Sequence, residues 1–239
     1  MKDGHTFLAL ELDGPLREAL SGAQQALVRA GRQAGCVVEP VPRRYLQLVL
    51  DDLGPCPIEA LEAIELAVDR GRGRHGPLSV DLRGLGQAAL PDGRTMAWAA
   101  VSDDAGELCA LRTDVHDELA RYGFPLVPGA WAPHVPLLLS DVALPADALG
   151  DEPYGALPVR RLTLFRRTFD DPRGPRFRRV WRRGLGLVPP AAALQDEATA
   201  RAQIGALLDA RLAERTAELP RSPRKPRRRA RGAQRGETP

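Results

Sequence analysis

The chain has 239 residues, of which 44% are hydrophobic, so it is long enough to bury one large core or two small ones. It contains no apolar run of the roughly 18 residues that a membrane span needs, so we expect no transmembrane helix and no membrane partner. Its three cysteines lie far apart and lack the spacing of a metal site, which predicts reduced thiols and a cytoplasmic location.

The net charge of +3 conceals two strongly basic segments. Residues 160–183 hold ten arginines and two aspartates, and residues 221–239 hold eight basic residues and one acidic residue. The remainder of the chain is therefore acidic on balance. Such concentrated positive charge favours partners that carry phosphate groups.

The first part of the chain predicts a strand, a helix, a strand and a helix, in that order. The first strand is FLALEL at 7–12, and Pro15 fits the first turn of a helix that ends near Gly31 or Gly35. The second strand follows at 45–54, with its leucines on one face. A second helix is predicted from Pro57 to the glycines of GRG.

The middle of the chain predicts mostly strands. Two strands are expected at 76–87 and 95–102, followed by a third helix that Thr113 or Asp114 caps and that ends at Gly123. Three more strands are predicted, at 132–140, 159–169 and 176–183. The last two strands would form a hairpin, and the whole pattern is typical of an α+β protein.

The composition changes after two consecutive prolines at 189–190. Residues 1–190 are therefore predicted to form the folded body, and residues 191–219 an amphipathic C-terminal helix. Residues 220–239 are low in complexity, interrupted by prolines and basic. We expect this tail to be disordered and to bind polyanions without specificity.

Four segments, taken in order, carry a resemblance to a known family. They are FLALELDGPLREAL, LRGLGQAALPDGRTMAWAAV, LARYGFPLVPGAWAPHVPLLLS and RRLTLFRRTFDDPRGPRFRRVWRRGL. In this order, over about 6–188, the chain resembles the two-histidine (2H) phosphoesterase superfamily. The branch it resembles is that of the RNA 2′,3′-cyclic phosphodiesterases, also called 2′-5′ RNA ligase-like proteins.

The resemblance implies a bilobal α+β fold. Two antiparallel sheets would be related by a pseudo-twofold axis, with helices outside and a groove between them. It also implies hydrolysis of RNA 2′,3′-cyclic phosphates without a metal or other cofactor, by a monomer. Each lobe would supply one H-x-T motif, whose two side chains point to the same face of a strand because they lie two residues apart.

This chain departs from the family pattern at three of the four motif positions. The first histidine falls on Gln47 and its threonine on Val49, whereas the second histidine is His134 and its threonine falls on Pro136. A glutamine can bind phosphate but cannot titrate, valine offers no donor, and proline offers neither hydroxyl nor N–H. Each positioned acid or base contributes roughly 10²–10⁴-fold to the rate, so we expect impaired catalysis with retained binding of RNA or another phosphorylated ligand.

Two alternative functions stay open at this stage. The chain could be an active phosphodiesterase with substituted groups, for which Tyr45 is the candidate and Asp51 a second one. It could instead be a scaffold that acts through its C-terminal helix and tail.

Arginines of the closing hairpin are further candidates for binding phosphate or RNA beside Gln47 and His134. The three we single out are Arg161, Arg167 and Arg179. The competing interpretation is a solvated strand face whose arginine stems cover apolar neighbours. Of the remaining histidines, His75 is expected in a solvated loop and His116 on an exposed helix face.

Overall fold

The computed structural model describes residues 4–124, 126, 131–168 and 176–186, together with 202, 205, 206 and 209. The strands in these ranges are β1 (Gly4–Glu11), β2 (Val38–Pro40), β3 (Gln47–Cys56), β4 (Leu78–Ala89), β5 (Thr95–Ser102), β6 (His134–Ser140), β7 (Pro153–Val159), β8 (Arg161–Thr168) and β9 (Arg176–Gly184). The helices are α1 (Gly14–Gln33), α2 (Leu61–Arg72) and α3 (Glu107–Arg121). Short 3₁₀ helices lie at Arg43–Tyr45, Ile58–Ala60 and Ala146–Ala148.

The strands form two antiparallel sheets. The first sheet has the order β3-β1-β8-β9, and the second has the order β2-β6-β5-β4-β7. Each sheet contains two paired strands that are joined through a helix. They are β1 and β3 in the first sheet, where the short β2 of the second sheet also lies between α1 and β3, and β5 and β6, joined through α3, in the second. The two strand–helix–strand units are equivalent in pairing, which confirms the predicted α+β fold with two related lobes.

The pairing registers of the two units also match. Gln47, the first residue of β3, pairs with the last residue of β1, and His134, the first residue of β6, pairs near the end of β5. One additional residue then interrupts each pairing, Leu50 in β3 and Leu137 in β6. Both bulges lie three residues after the strand begins, so Gln47 and His134 occupy equivalent positions in the two lobes.

One continuous hydrophobic core lies under both sheets. The leucines at 46, 48 and 50, predicted to share a face of β3, are all buried in it together with residues of β5, β6 and the three helices. The opposite face of the first sheet carries a smaller apolar cluster of Phe7, Ala9 and Phe165. The helices therefore lie on the side of the first sheet that faces away from this cluster.

The third helix begins earlier than the sequence predicted. It starts at Glu107, so Thr113 lies inside it and donates its hydroxyl to the carbonyl of the residue four positions earlier. The capping acceptor is Asp103, whose carboxylate accepts from the N–H groups of the second and third helical residues. The prediction failed because Asp103 precedes the helix by a turn and caps it from outside the usual N-cap position.

Two strands, β2 and β7, were not predicted from the sequence. They lie at the two edges of the second sheet, where β2 has only three residues and β7 contains two prolines. Prolines are tolerated in edge strands because their missing N–H can face away from the ladder, and they weaken the sequence signal for a strand.

The C-terminal predictions fall mostly outside the described residues. Of the predicted helix at 191–219, residues 202, 205, 206 and 209 are described, and they are helical. The remainder of that segment and the tail at 220–239 lie outside the described residues, as do the hairpin residues 169–175. None of the helices in the described ranges is long and apolar enough to cross a membrane.

Two helical glycines should respond in opposite directions to replacement by alanine. A Cβ on Gly71 would lie 2.6 Å from the backbone Cα of Val115 where α2 packs on α3, so Gly71→Ala should destabilise the protein by about 1–3 kcal/mol. A Cβ on the exposed Gly22 of α1 meets nothing within 4 Å, so Gly22→Ala should stabilise it by up to about 1 kcal/mol. Urea unfolding measures both changes, and shifts of the same sign would contradict the packing described.

Candidate functional site

The two equivalent strand starts lie where the sheets meet. β3 and β6 belong to different sheets and contact each other. The chain passes from the second sheet to the first just before Gln47, and the N–H of Val41 donates to the carbonyl of Leu137 at 2.8 Å. The side-chain amide of Gln24 donates to the carbonyls of both residues, at 2.7 and 2.6 Å. At this junction the two strands that begin with Gln47 and His134 contact each other.

One ring nitrogen of His134 is hydrogen-bonded, and the other has no hydrogen bond to a described residue. Its Nδ1 lies 2.8 Å from the carbonyl oxygen of Ala132, and because a carbonyl can only accept, Nδ1 must donate its proton there. In the neutral ring the lone pair then resides on Nε2. The ring also lies beside the indole of Trp98, with 5.5 Å between the ring centroids. This nitrogen can accept a proton or, when protonated, donate a hydrogen bond to an anion.

The other three histidines are each paired with a carboxylate. The pairs are His5–Asp52 at 2.6 Å, His75–Asp114 at 2.8 Å and His116–Asp51 at 2.9 Å. His75 lies in a loop and His116 on a helix, as predicted, but the predicted exposure was wrong: their side chains are only 16% and 20% exposed and each binds an aspartate. His134 thus differs from the other histidines of the chain in contacting a backbone carbonyl instead of a carboxylate.

Gln47 is 7% exposed, and its amide makes no hydrogen bond to any other residue in the described part of the chain. Two residues further along β3, Val49 packs against the small apolar cluster of the first sheet. In the second lobe, Pro136 pairs with Trp98 on β5. The positions of the two expected threonines therefore supply no hydroxyl donor beside Gln47 and His134.

The three arginines named from the sequence lie on the face of the first sheet that carries Gln47. The pairing places Arg167 opposite Phe177, and Arg179 opposite Phe165, which belongs to the apolar cluster on this face. Arg161 lies two residues before Thr163, whose partner on β1 is Ala9 of the same cluster. We call this side, opposite the helices, the groove face of the first sheet.

The groove face holds a carboxylate that the sequence analysis did not single out. Glu11 is the β1 partner of Gln47, and its Oε1 lies 2.9 Å from Nε of Arg179 while its other oxygen accepts from Arg182. Burial alone would raise the pKa of Glu11, but hydrogen bonds from Arg182 and Arg179 outweigh it and hold this pKa below its usual range. The charge of Arg179 is therefore balanced inside the protein, whereas Arg161 is exposed and has no ion pair with a described residue.

The two residues considered as substitute catalysts lie in different places. Tyr45 ends the 3₁₀ helix that precedes β3 and is not part of the strand, and its ring contacts that of Phe177 at 4.1 Å between centroids. Asp51 follows the bulge at Leu50 and points to the helices, where Arg112 and His116 each contact its Oδ1 at 2.9 Å. Burial raises the pKa of Asp51 in spite of hydrogen bonds from these two residues. Asp51 is thus separated from Gln47 by the sheet.

Glu11 and Trp98 were not predicted as site residues, although each stands out in the sequence of its strand. Glu11 is the one charged residue in the apolar run FLALEL, and Trp98 is the one large aromatic residue in TMAWAAVS. The indole of Trp98 packs over Gly86, where an added Cβ would lie 2.7 Å from the ring. Among the described residues, no group of three His, Cys, Asp or Glu side chains is placed to hold a metal ion.

Comparison with solved structures gives consistent matches, although no family model matches the sequence. The TT0787 protein of Thermus thermophilus is 25% identical, with a TM-score of 0.61 over 76% of this chain and 98% of that one. LigT of E. coli in its apo form is 20% identical, with a TM-score of 0.61 over 78% of this chain and 100% of that one. A protein described as a phosphoesterase is 21% identical, with a TM-score of 0.59 over the same shares.

The matched structures cover the body of the chain and essentially the whole of their own chains. Together with the two equivalent strand–helix–strand units, they confirm the resemblance found in the sequence. The chain has the fold of the two-histidine phosphoesterase superfamily.

Proposed function

We propose that this protein binds a phosphorylated ligand, foremost an RNA terminus, in the central groove where β3 meets β6, and that its phosphodiesterase activity is impaired. One observation carries the proposal. Gln47 and His134 occupy equivalent strand positions in the two lobes, yet of the two side chains only the imidazole of His134 can serve as an acid or a base.

The impairment follows from what hydrolysis of a cyclic phosphodiester requires. A base must take a proton from water, and an acid must give one to the leaving oxygen. Because Gln47 cannot take either role, His134 would have to work alone. Val49 and Pro136 add no hydroxyl to stabilise the charge that develops on phosphate, and losing one such donor costs on the order of 10²–10³-fold.

Several groups nonetheless suit an anion. The amide of Gln47 has no hydrogen-bond partner among the described residues, and Nε2 of His134 is not held by Ala132. Arg161 adds an exposed cation on the groove face. Other structures of E. coli LigT hold 3′-AMP, phosphate or ATP, which supports a phosphorylated ligand for this fold.

A second candidate function is slow hydrolysis that depends on His134. The hydrogen bond from Nδ1 to Ala132 favours it, because that bond leaves Nε2 with the lone pair that a general base needs. Tyr45 would then be the acid, and replacing its hydroxyl by Tyr45→Phe would abolish turnover.

The binding proposal predicts selective losses of affinity for 3′-AMP, measured by isothermal titration calorimetry. His134→Ala and Gln47→Ala should each weaken binding by about tenfold or more, since a hydrogen bond to a charged group contributes about 1.5–3 kcal/mol. Arg29→Ala is the control, because Arg29 is exposed on α1 and its loss should leave affinity unchanged. Equal affinity of the wild-type and His134→Ala proteins would exclude His134 from the binding site.

The proposed impairment predicts a gain of function when the missing groups are restored. Gln47→His, Val49→Thr and Pro136→Thr together should raise the rate of hydrolysis of an oligoribonucleotide with a 2′,3′-cyclic phosphate by roughly 10²–10⁴-fold. Adding His134→Ala to the restored protein should remove that gain. Slow hydrolysis by the wild-type chain that is lost in both His134→Ala and Tyr45→Phe would instead establish the second candidate function.

A further inference from the structure

Three arginines line a cavity, and two of them lie just before β3 in the chain. The cavity has a volume of about 680 Å³ and is lined by Arg17, Pro42, Arg43 and Arg44. Arg43 and Arg44 belong to the 3₁₀ helix that precedes β3, and Arg17 lies in the first turn of α1. The proposed function makes no use of these arginines.

We propose that this cavity is a second phosphate site, so that the ligand of the groove carries two separate phosphate groups. The inference rests on the proposed function and deepens it. It assigns the first phosphate to Gln47 and His134 and the second to the arginines of the cavity. Guanidinium groups suit this role because their planar fork matches the oxygens of a phosphate.

Two of the three guanidinium groups are held in place by their surroundings. Nη2 of Arg17 donates to the carbonyl of Leu12 at 2.7 Å, and the guanidinium of Arg44 stacks on the ring of Tyr45 at 4.7 Å. Groups positioned in advance lose less conformational entropy when a ligand binds. The cavity is therefore better prepared for an anion than a set of freely moving surface side chains.

The local charge also favours an anion. Arg43 is paired with Glu18, which is the one carboxylate in ion contact with the arginines of the cavity among the described residues. Both partners of this pair are largely exposed, with side-chain exposures of 58% and 68%. An exposed ion pair contributes about 0–1 kcal/mol, so a phosphate can replace Glu18 at little cost.

The chain keeps the second site close to the first. Arg44 precedes Gln47 by three residues, which span at most about 10 Å even when fully extended. A nucleotide with phosphates on two positions, or a short RNA strand, can reach across this distance. The ligand class is therefore a nucleotide or oligonucleotide with at least two phosphate groups.

Calorimetric titration with three probes tests the proposal. The probes are adenosine 3′-monophosphate, adenosine 3′,5′-bisphosphate and an RNA trinucleotide with a 3′-phosphate. The Arg43→Ala/Arg44→Ala variant is compared with Arg29→Ala/Arg32→Ala, which removes two exposed arginines of α1. Arg17 is left intact because its hydrogen bond to Leu12 supports the start of α1.

We expect wild-type protein to bind the bisphosphate, the trinucleotide or both about tenfold more tightly than the monophosphate. Arg43→Ala/Arg44→Ala should remove that difference and leave monophosphate affinity unchanged, while the control pair changes neither. For the trinucleotide, the slope of log K against log salt should be shallower in Arg43→Ala/Arg44→Ala than in the wild type by about 0.7, the value for one phosphate contact in a single strand. A gain seen with the trinucleotide alone would identify a backbone phosphate, and a gain with the bisphosphate as well would identify a 5′-phosphate.

The failures of the two proposals are distinguishable. The second site is overturned if both double variants lose the affinity difference between the larger probes and the monophosphate equally. It is also overturned if Arg43→Ala/Arg44→Ala weakens the binding of all three probes by the same factor. In both cases the groove proposal stands. If His134→Ala leaves monophosphate binding unchanged, the groove proposal is overturned. Absence of binding by every probe to wild-type protein would overturn both.

Discussion

The alternation of side chains along β3 and β6 determines which groups can reach a ligand in the groove. Because residues two apart on a strand share a face, the first sheet presents Gln47 and Val49, and the second presents His134 and Pro136. The bulge at Leu50 ends this alternation. It turns Asp51 to the helix side, so no carboxylate of β3 stands next to Gln47 to replace the missing histidine.

The charges of the first sheet follow from the same geometry. Glu11 lies on the groove face and binds Arg179 and Arg182, so Arg179, a candidate contact for phosphate, already has an anionic partner. Because the pKa of Glu11 is lowered, this network contributes stability above the carboxyl's unfolded pKa and loses it as the pH falls through the folded pKa. Arg161 and Arg44, by contrast, are exposed and have no ion pair with a described residue.

Local patterns in the sequence predicted most of the helices and strands, because periodic leucines and helix-breaking glycines are signals that involve only residues close together in the chain. The same patterns missed β2 and β7, whose short length and prolines resemble loops. These local patterns also failed for side chains whose ion-pair partner is distant in sequence. His116 was assigned to an exposed helix face because Asp51, the residue it binds, is 65 positions away, and the 168 positions between Glu11 and Arg179 hid their ion pair in the same way.

The equivalence of Gln47 and His134 was predictable only through the family resemblance, since nothing in either segment alone indicates a shared site. The structure adds the matching registers and bulges, which the sequence does not display. It also shows which ring nitrogen of His134 donates a hydrogen bond, because the contact between Nδ1 and the carbonyl of Ala132 depends on the local backbone path.

The most direct test of the central claim, that a phosphate binds at His134, is an NMR titration of the histidine ring nitrogens with 3′-AMP. We predict that the Nε2 resonance of His134 moves progressively and saturates, while those of His75 and His116, bound to Asp114 and Asp51, stay in place. A His134 resonance that does not move, or equal movement of all three histidines, would contradict the account.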